Sequence, residues 1–186
     1  MKIAAVLYDG EKSAAADKLI REVAGALRKD GIGLCGAVQS NVAALNRSRC
    51  EIALEDLATG RVIKASQDRG PLARGCRLDS GALEESVGLA ESSLAEETRL
   101  VIVNRFGKQE AEGRGFRALI EKAVLAEIPV LVGLNRAHVV AWHEFVGENP
   151  TLLPMDEREV MAWCSLNTAV EPETEIGNCQ RAAEST

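Results

Sequence analysis

The sequence predicts an α/β fold: three layers around a mostly parallel sheet, with an inserted β-hairpin. Three observations carry this. Short, almost wholly apolar runs recur at Ile3–Leu7, Ile32–Val38, Leu100–Val103 and Pro129–Leu134, as strands covered on both faces require. Apolar residues at helical spacing separate consecutive runs, which gives the order strand, helix, strand. A pair of short segments around Ala-Thr-Gly interrupts that alternation once.

The elements follow in order. After Ile3–Leu7, Asp9-Gly10 breaks the strand. Ala16, Leu19, Ile20, Val23, Ala26 and Leu27 then share one helical face until Asp30-Gly31 ends the helix. With Ile32–Val38 this makes a βαβ unit, whose crossover is expected to be right-handed. Ile52–Leu57 and Arg61–Ala65 form the hairpin. A loop with three arginines, Asp68–Asp79, leads to a helix that Asp79 or Ser80 caps and that runs to about Leu94. Strand Leu100–Val103, helix Phe116–Ala126 and strand Pro129–Leu134 restore the pattern, and two helices near His138–Val146 and Asp156–Cys164 close it. The 186 residues fit one domain of the usual size, roughly 100–200 residues. Residues 1–166 are read as a single α/β domain and 167–186, poor in apolar residues, as a flexible C-terminal tail.

Composition narrows function by exclusion. A formal charge of −6 supplies no overall positive field for nucleic acid or an anionic membrane. Aromatic residues at 3% disfavour a base-stacking surface. No apolar run approaches the roughly 20 residues of a membrane span, and the N-terminus does not read as a signal peptide. Five cysteines without a C-x-x-C pair suit reduced thiols, and the expected location is the cytoplasm. Any anion must then be held by a local basic cluster, and oligomerisation is left open.

Three segments carry candidate chemistry. The first is YDGEKSAAA, where Gly10, Lys12 and Ser13 follow the first strand. A helix N-terminus presents amide N–H groups and a positive dipole end to an anion there. The P-loop pattern G-x-x-x-x-G-K-[ST] wraps phosphates with two glycines. Aligned on Lys12-Ser13, it finds Val6 and Glu11 at those positions. The plain alternative is a short turn with Lys12 in solvent. The second segment is LVIVNRFGKQEAEGRGF. P-loop enzymes end this strand in an Asp that supports magnesium, often followed by a Glu that orients water. Here Asn104 and Arg105 stand in those places, and neither supplies a carboxylate. Lys108 adds positive charge, and Glu110 and Glu112 are the remaining candidates for a base; the alternative is a solvated polar loop. The third is the arginine loop. Arg69, Arg74 and Arg77 offer guanidinium forks suited to phosphate-like oxyanions, unless Asp68 and Asp79 pair with them. Cys76, between these arginines, is either a thiol of lowered pKa or a small buried residue. His138 and His143, five apart, point to different sides of a helix.

The segments ALEDLATGR, SQDRGPLARGCRLD and VNRFGKQEAEGRGFR resemble the bacterial domain-of-unknown-function 2478 family, over about residues 3–165. More distantly, their order is similar to the small P-loop nucleoside-triphosphatase family first described from thermophiles. Asp56, Leu57, Thr59 and Gly60 match its hairpin, Pro71, Leu72, Ala73 and Arg74 its basic stretch, and Gly107 and Glu110 its loop after the third strand. The resemblance implies a P-loop-like scaffold, a nucleotide with Mg²⁺ as cofactor where hydrolysis survives, and a connection to molybdenum uptake. The departures at Val6, Glu11, Asn104 and Arg105 fall on the chemistry. The leading expectation is a P-loop-like protein that binds a small oxyanion or nucleotide without efficient hydrolysis. Its site residues are Gly10, Lys12, Ser13, Arg69, Arg74, Arg77, Asn104 and Lys108. The competing expectations are a nucleoside triphosphatase with a rearranged site and a ligand-free interaction adaptor.

Overall fold

The structure is a computed structural model that describes residues 2–43, 50–66, 78–147 and 150–169. Its seven strands are β1 (Ile3–Tyr8), β2 (Leu34–Ala43), β3 (Cys50–Asp56), β4 (Val62–Lys64), β5 (Leu100–Phe106), β6 (Val130–Asn135) and β7 (Thr151–Leu153). They form one sheet in the order β4-β3-β2-β5-β6-β1-β7. β2, β5, β6, β1 and β7 run parallel, whereas β3 and β4 add on antiparallel. The expected parallel sheet and inserted hairpin are both present.

Helices cover both faces, because the central strands are apolar on both. α1 (Ser13–Lys29) and α6 (Glu157–Thr168) lie on one face, where Ile20, Val23, Leu27 and Val160 pack on Ala4, Val6, Leu100 and Ile102. α2 (Ser80–Ser92), α4 (Arg117–Leu125) and α5 (Val139–Val146) cover the other, where Leu83, Val87, Leu119 and Trp142 pack on Val101, Val103 and Val132. α3 (Lys108–Ala111) is a single turn after β5. Phe106 meets Trp142 edge-on at 5.1 Å, and the Arg117 guanidinium lies 4.2 Å from the centre of the Phe145 ring. These contacts fix α5 beside the end of β5. Asp79 caps α2 through Ala82 N–H at 2.9 Å, as its position predicts.

The structure adds β7 and α3, which the periodicity did not indicate. α6 continues to Thr168, which is buried, so the helix passes the expected tail boundary at 167. Residues 170–186 lie outside the described residues.

β5 also differs from expectation. Asn104 and Arg105 do not follow the strand; they lie within it, in a bulge. Val103 pairs with Val132 and Phe106 with Leu134, so three steps on β5 answer two on β6. Successive residues of a regular strand point to opposite faces, and one extra residue resets that alternation. Phe106 therefore joins the α2–α4–α5 face with Val101 and Val103, although strict alternation would set it beside Leu100 and Ile102.

Candidate functional site

The carboxyl ends of β1, β2, β5 and β6 open into a cavity of about 660 Å³. Open α/β sheets place ligands at this edge, and the volume falls within the range of small-molecule sites, roughly 300–1,000 Å³. Tyr8, Ser13, Gln39, Asn104, Arg105 and Lys108 are among its lining residues. Two other depressions, of about 460 and 1010 Å³, lie at the amino ends of the strands, and their charged lining residues are all exposed.

The floor of the cavity is a network centred on Asp17. Helical spacing sets Asp17 one turn after Ser13 on the buried side of α1, beside Ala16 and Ile20. Its carboxylate receives the Arg105 guanidinium as a two-pronged fork, with Nε on Oδ1 at 2.9 Å and Nη2 on Oδ2. Asn104 Nδ2 donates to Oδ1 at 2.9 Å and Gln39 Nε2 to Oδ2 at 3.3 Å. Asn104 Oδ1 in turn accepts from the Gln39 backbone N–H at 3.0 Å. The bulge makes this possible, since the neighbours Asn104 and Arg105 both reach one carboxylate. Gly133 assists: a Cβ there would lie 2.3 Å from the Asn104 carbonyl oxygen, so only glycine admits the bulged chain. Asp17 is 4% and Arg105 37% exposed. The carboxylate is thus buried and compensated, whereas the guanidinium keeps a face at the cavity. Tyr8 stands beside this pair. Burial pushes its phenol pKa up, Arg105 opposes that, Asp17 adds to it, and a hydrogen bond with Ser13 opposes it.

The predicted residues distribute unevenly. Ser13, Asn104, Lys108 and Glu110 line the cavity; Gly10 and Lys12 are exposed on the turn between β1 and α1. That turn holds only Asp9–Lys12, one 3₁₀ turn closed by Lys12 N–H to the Asp9 carbonyl at 2.8 Å. Val6, where a P-loop would begin, is instead a buried residue inside β1. Asn104 was expected to face a ligand, but its amide is engaged at both ends inside the network. Glu110 was a candidate base, yet its oxygens accept from Gly107 N–H at 2.9 Å and Phe116 N–H at 3.1 Å. It organises the loop between β5 and α4. Gly115 confirms the tightness of that loop, with φ +58° and space for a Cβ only 2.2 Å from Glu110 Oε1. Glu112 pairs with Lys108 at 3.7 Å and with Arg114. Arg69, Arg74, Arg77 and Cys76 lie outside the described residues, as does Asp68. Asp17 and Gln39 were missed. Asp17 carried a signal, a carboxylate on the apolar face of a helix, which demands a buried partner.

Magnesium fits this donor set poorly. It takes oxygen ligands in near-octahedral array. Glu110 is the one carboxylate among the described lining residues, and both its oxygens accept from backbone amides. The Asp17 oxygens face Arg105, Asn104 and Gln39. No group of three His, Cys, Asp or Glu residues suited to a metal occurs among the described residues.

Sequence comparison places the chain in a family. The model for the protein of unknown function family DUF2478 matches residues 3–163. The chain belongs to that family. This DUF2478 chain is also 34% identical over 164 residues to the molybdenum import ATP-binding protein ModC 2 of Bradyrhizobium diazoefficiens. The match covers 87% of this chain and 18% of that protein, so the DUF2478 chain corresponds to a minor part of it. The crystal structure of THEP1 from the hyperthermophile Aquifex aeolicus superposes with a TM-score of 0.55 at 15% identity, covering 85% of this chain and 91% of that one. The likeness establishes a shared three-layer α/β fold. Among the described residues, no helix is long and apolar enough to cross a membrane.

Proposed function

We propose that this DUF2478 chain is a degenerate P-loop-like module that binds a small anion, an oxyanion or a nucleotide, without efficient hydrolysis. The observation that carries the reading is the Asn104–Arg105 bulge bonded to buried Asp17. It leaves a guanidinium at the cavity where a hydrolase of this fold needs a metal-supporting carboxylate and a base. Lys108 and the Ser13 turn are the nearby polar groups that would assist. Arg69, Arg74 and Arg77 join them as candidates on sequence grounds, with Gly10 and Lys12 as the outer part of the turn. The resemblance to a molybdenum import ATP-binding protein supports a role in molybdenum uptake, with molybdate among the anions to test.

A thermal-shift screen of the whole chain tests this, with ATP and GTP with and without magnesium, and with molybdate, tungstate, sulfate and phosphate. A ligand at about a hundred times its Kd should raise Tm by roughly 5–10 °C in a protein of this size. ATP or GTP turnover should stay below about 1 per second. Magnesium-dependent turnover above that rate would establish a rearranged triphosphatase instead. No shift with any anion would favour an adaptor. Arg74→Ala should weaken binding of whichever anion shifts Tm, with the fold unchanged.

A further inference from the structure

We infer that the cavity takes its oxyanion group without a divalent metal, with the Arg105 guanidinium, oriented by Asp17, in the charge-neutralising role that a metal plays in hydrolytic phosphate sites. The inference rests on the reading that the cavity binds an anion, and adds how it does so.

Three observations converge on it. The first is the state of the oxygens. A divalent cation bridging protein and phosphate is usually held by one or two protein carboxylates together with water and phosphate oxygens, and the Ser13 hydroxyl alone would be a thin protein contribution. The Asp17 and Glu110 carboxylates and the Asn104 amide oxygen all accept hydrogen bonds from within the protein. The second is the charge along the cavity. Arg105 and Lys108 are both lining residues, paired with Asp17 and, at 3.7 Å, with Glu112, which do not line the cavity, while Glu110, the carboxylate there, is turned into its own loop. The third is the fixing of Arg105. A guanidinium carries five N–H donors in a rigid plane, and Asp17 engages one edge of it. A side chain held this way keeps a defined orientation while 37% of it is exposed. Such preorganisation lowers the ordering cost of binding, and a planar fork suits an oxyanion better than a lysine does. Asp17 therefore acts as a positioning residue. It is 4% exposed and reaches a ligand only through Arg105.

Isothermal titration of the full chain with phosphate, molybdate and ATP, each in EDTA and again in excess magnesium, tests the inference. The phosphate and molybdate arms read a free oxyanion, and the ATP arm reads the phosphate tail of a nucleotide. The expected result is a Kd for at least one probe that changes less than about two-fold between EDTA and magnesium. Arg105→Lys, which keeps the charge but loses the fork, should weaken that binding about ten-fold or more. Because a lone substitution can strand the buried Asp17 charge, the paired variant Asp17→Asn/Arg105→Gln serves as the second test. It removes both charges together and should fold yet lose the probe. Binding that appears only with magnesium overturns the metal-free inference and leaves anion binding standing. Full affinity in both variants overturns the role of Arg105. No binding of any probe in either condition overturns the inference and the anion-binding reading together.

Discussion

Two strand-to-helix junctions open onto the same edge of the sheet, and they are built in opposite ways. The β1–α1 junction is sparsely bonded, with Arg136 Nε on Asp9 Oδ1 at 3.0 Å and a hydrogen bond between Tyr8 and Ser13. It consists of one short turn, its helix begins without a side-chain cap, and Glu11 and Lys12 point to solvent. The junction after β5 is densely bonded. A bulge turns Asn104 and Arg105 onto Asp17, and Glu110 ties the start of α3 to the start of α4. In a hydrolytic P-loop protein the first junction wraps the phosphates and the second supplies carboxylates to the metal. Here the first is too short to wrap, and the second carries a fixed cation. On the proposed reading, one oriented guanidinium takes the place of backbone amides and a metal in recognising the anion.

The contrast breaks most decisively at Asp17. Asp17→Ala would remove the carboxylate that accepts from Arg105, Asn104 and Gln39, and because buried donors left without an acceptor cost about 1–3 kcal/mol, a total loss of about 3 kcal/mol is expected. Thermal unfolding should show Tm lower by roughly 6–12 °C. An unchanged Tm would mean that the network does not hold the second junction. Glu110→Ala is expected to cost about 2 kcal/mol, because two backbone N–H groups lose their acceptor. Urea denaturation measures this, and Glu110→Gln should recover part of the loss. A cost below about 0.5 kcal/mol would show that water replaces the carboxylate and that the loop is less rigid than its bonds imply.

A smaller effect distinguishes the core from both junctions. Burial, with Asp56 adding to it, pushes the Cys35 thiol up to about 11 from an ordinary 9.0. A folded pKa above the unfolded one means stability that is complete below about pH 9 and is lost as pH rises toward 11. Denaturation midpoints measured from pH 8 to 11 should fall across that window, and Cys35→Ala should reduce the fall, to which Cys164, its thiol pushed up to about 12 by burial, also contributes. A midpoint that begins to drop well below pH 9 would point to a different group. The smallest effect belongs to the sparser junction. Lys12→Ala should change stability by less than about 0.5 kcal/mol, as an exposed substitution does. A larger loss would mean that the turn is more structured than one 3₁₀ turn suggests.

Much of the scaffold was legible in the chain. The apolar runs that became β1, β2, β5 and β6 were visible because strands buried on both faces carry no polar side chains over four or more residues. α1 was visible because its apolar face repeats at helical spacing, and the α2 cap because Asp79 stands just before such a repeat. β7 and α3 were not, since three or four residues are too few to set up a period. Of the site, the loss of P-loop glycines and of the magnesium-supporting Asp could be read directly from Val6, Glu11, Asn104 and Arg105. The pairing of Arg105 with Asp17 could not, because Asp17 lies 88 residues away in the chain.

The sequence by itself therefore determined the layer architecture and which side chains are missing from the hydrolytic motif. Those depend on local periodicity and residue identity, which any window of the chain displays. Only the tertiary structure decided what the replacements do. The β5 bulge rotates Asn104 and Arg105 toward one face, close approach at Gly133 makes room for it, and α1 brings Asp17 beneath them. A buried charge is tolerated only where distant segments supply its partners. That condition is satisfied in space, between α1, β2 and β5, and no local stretch of sequence records it.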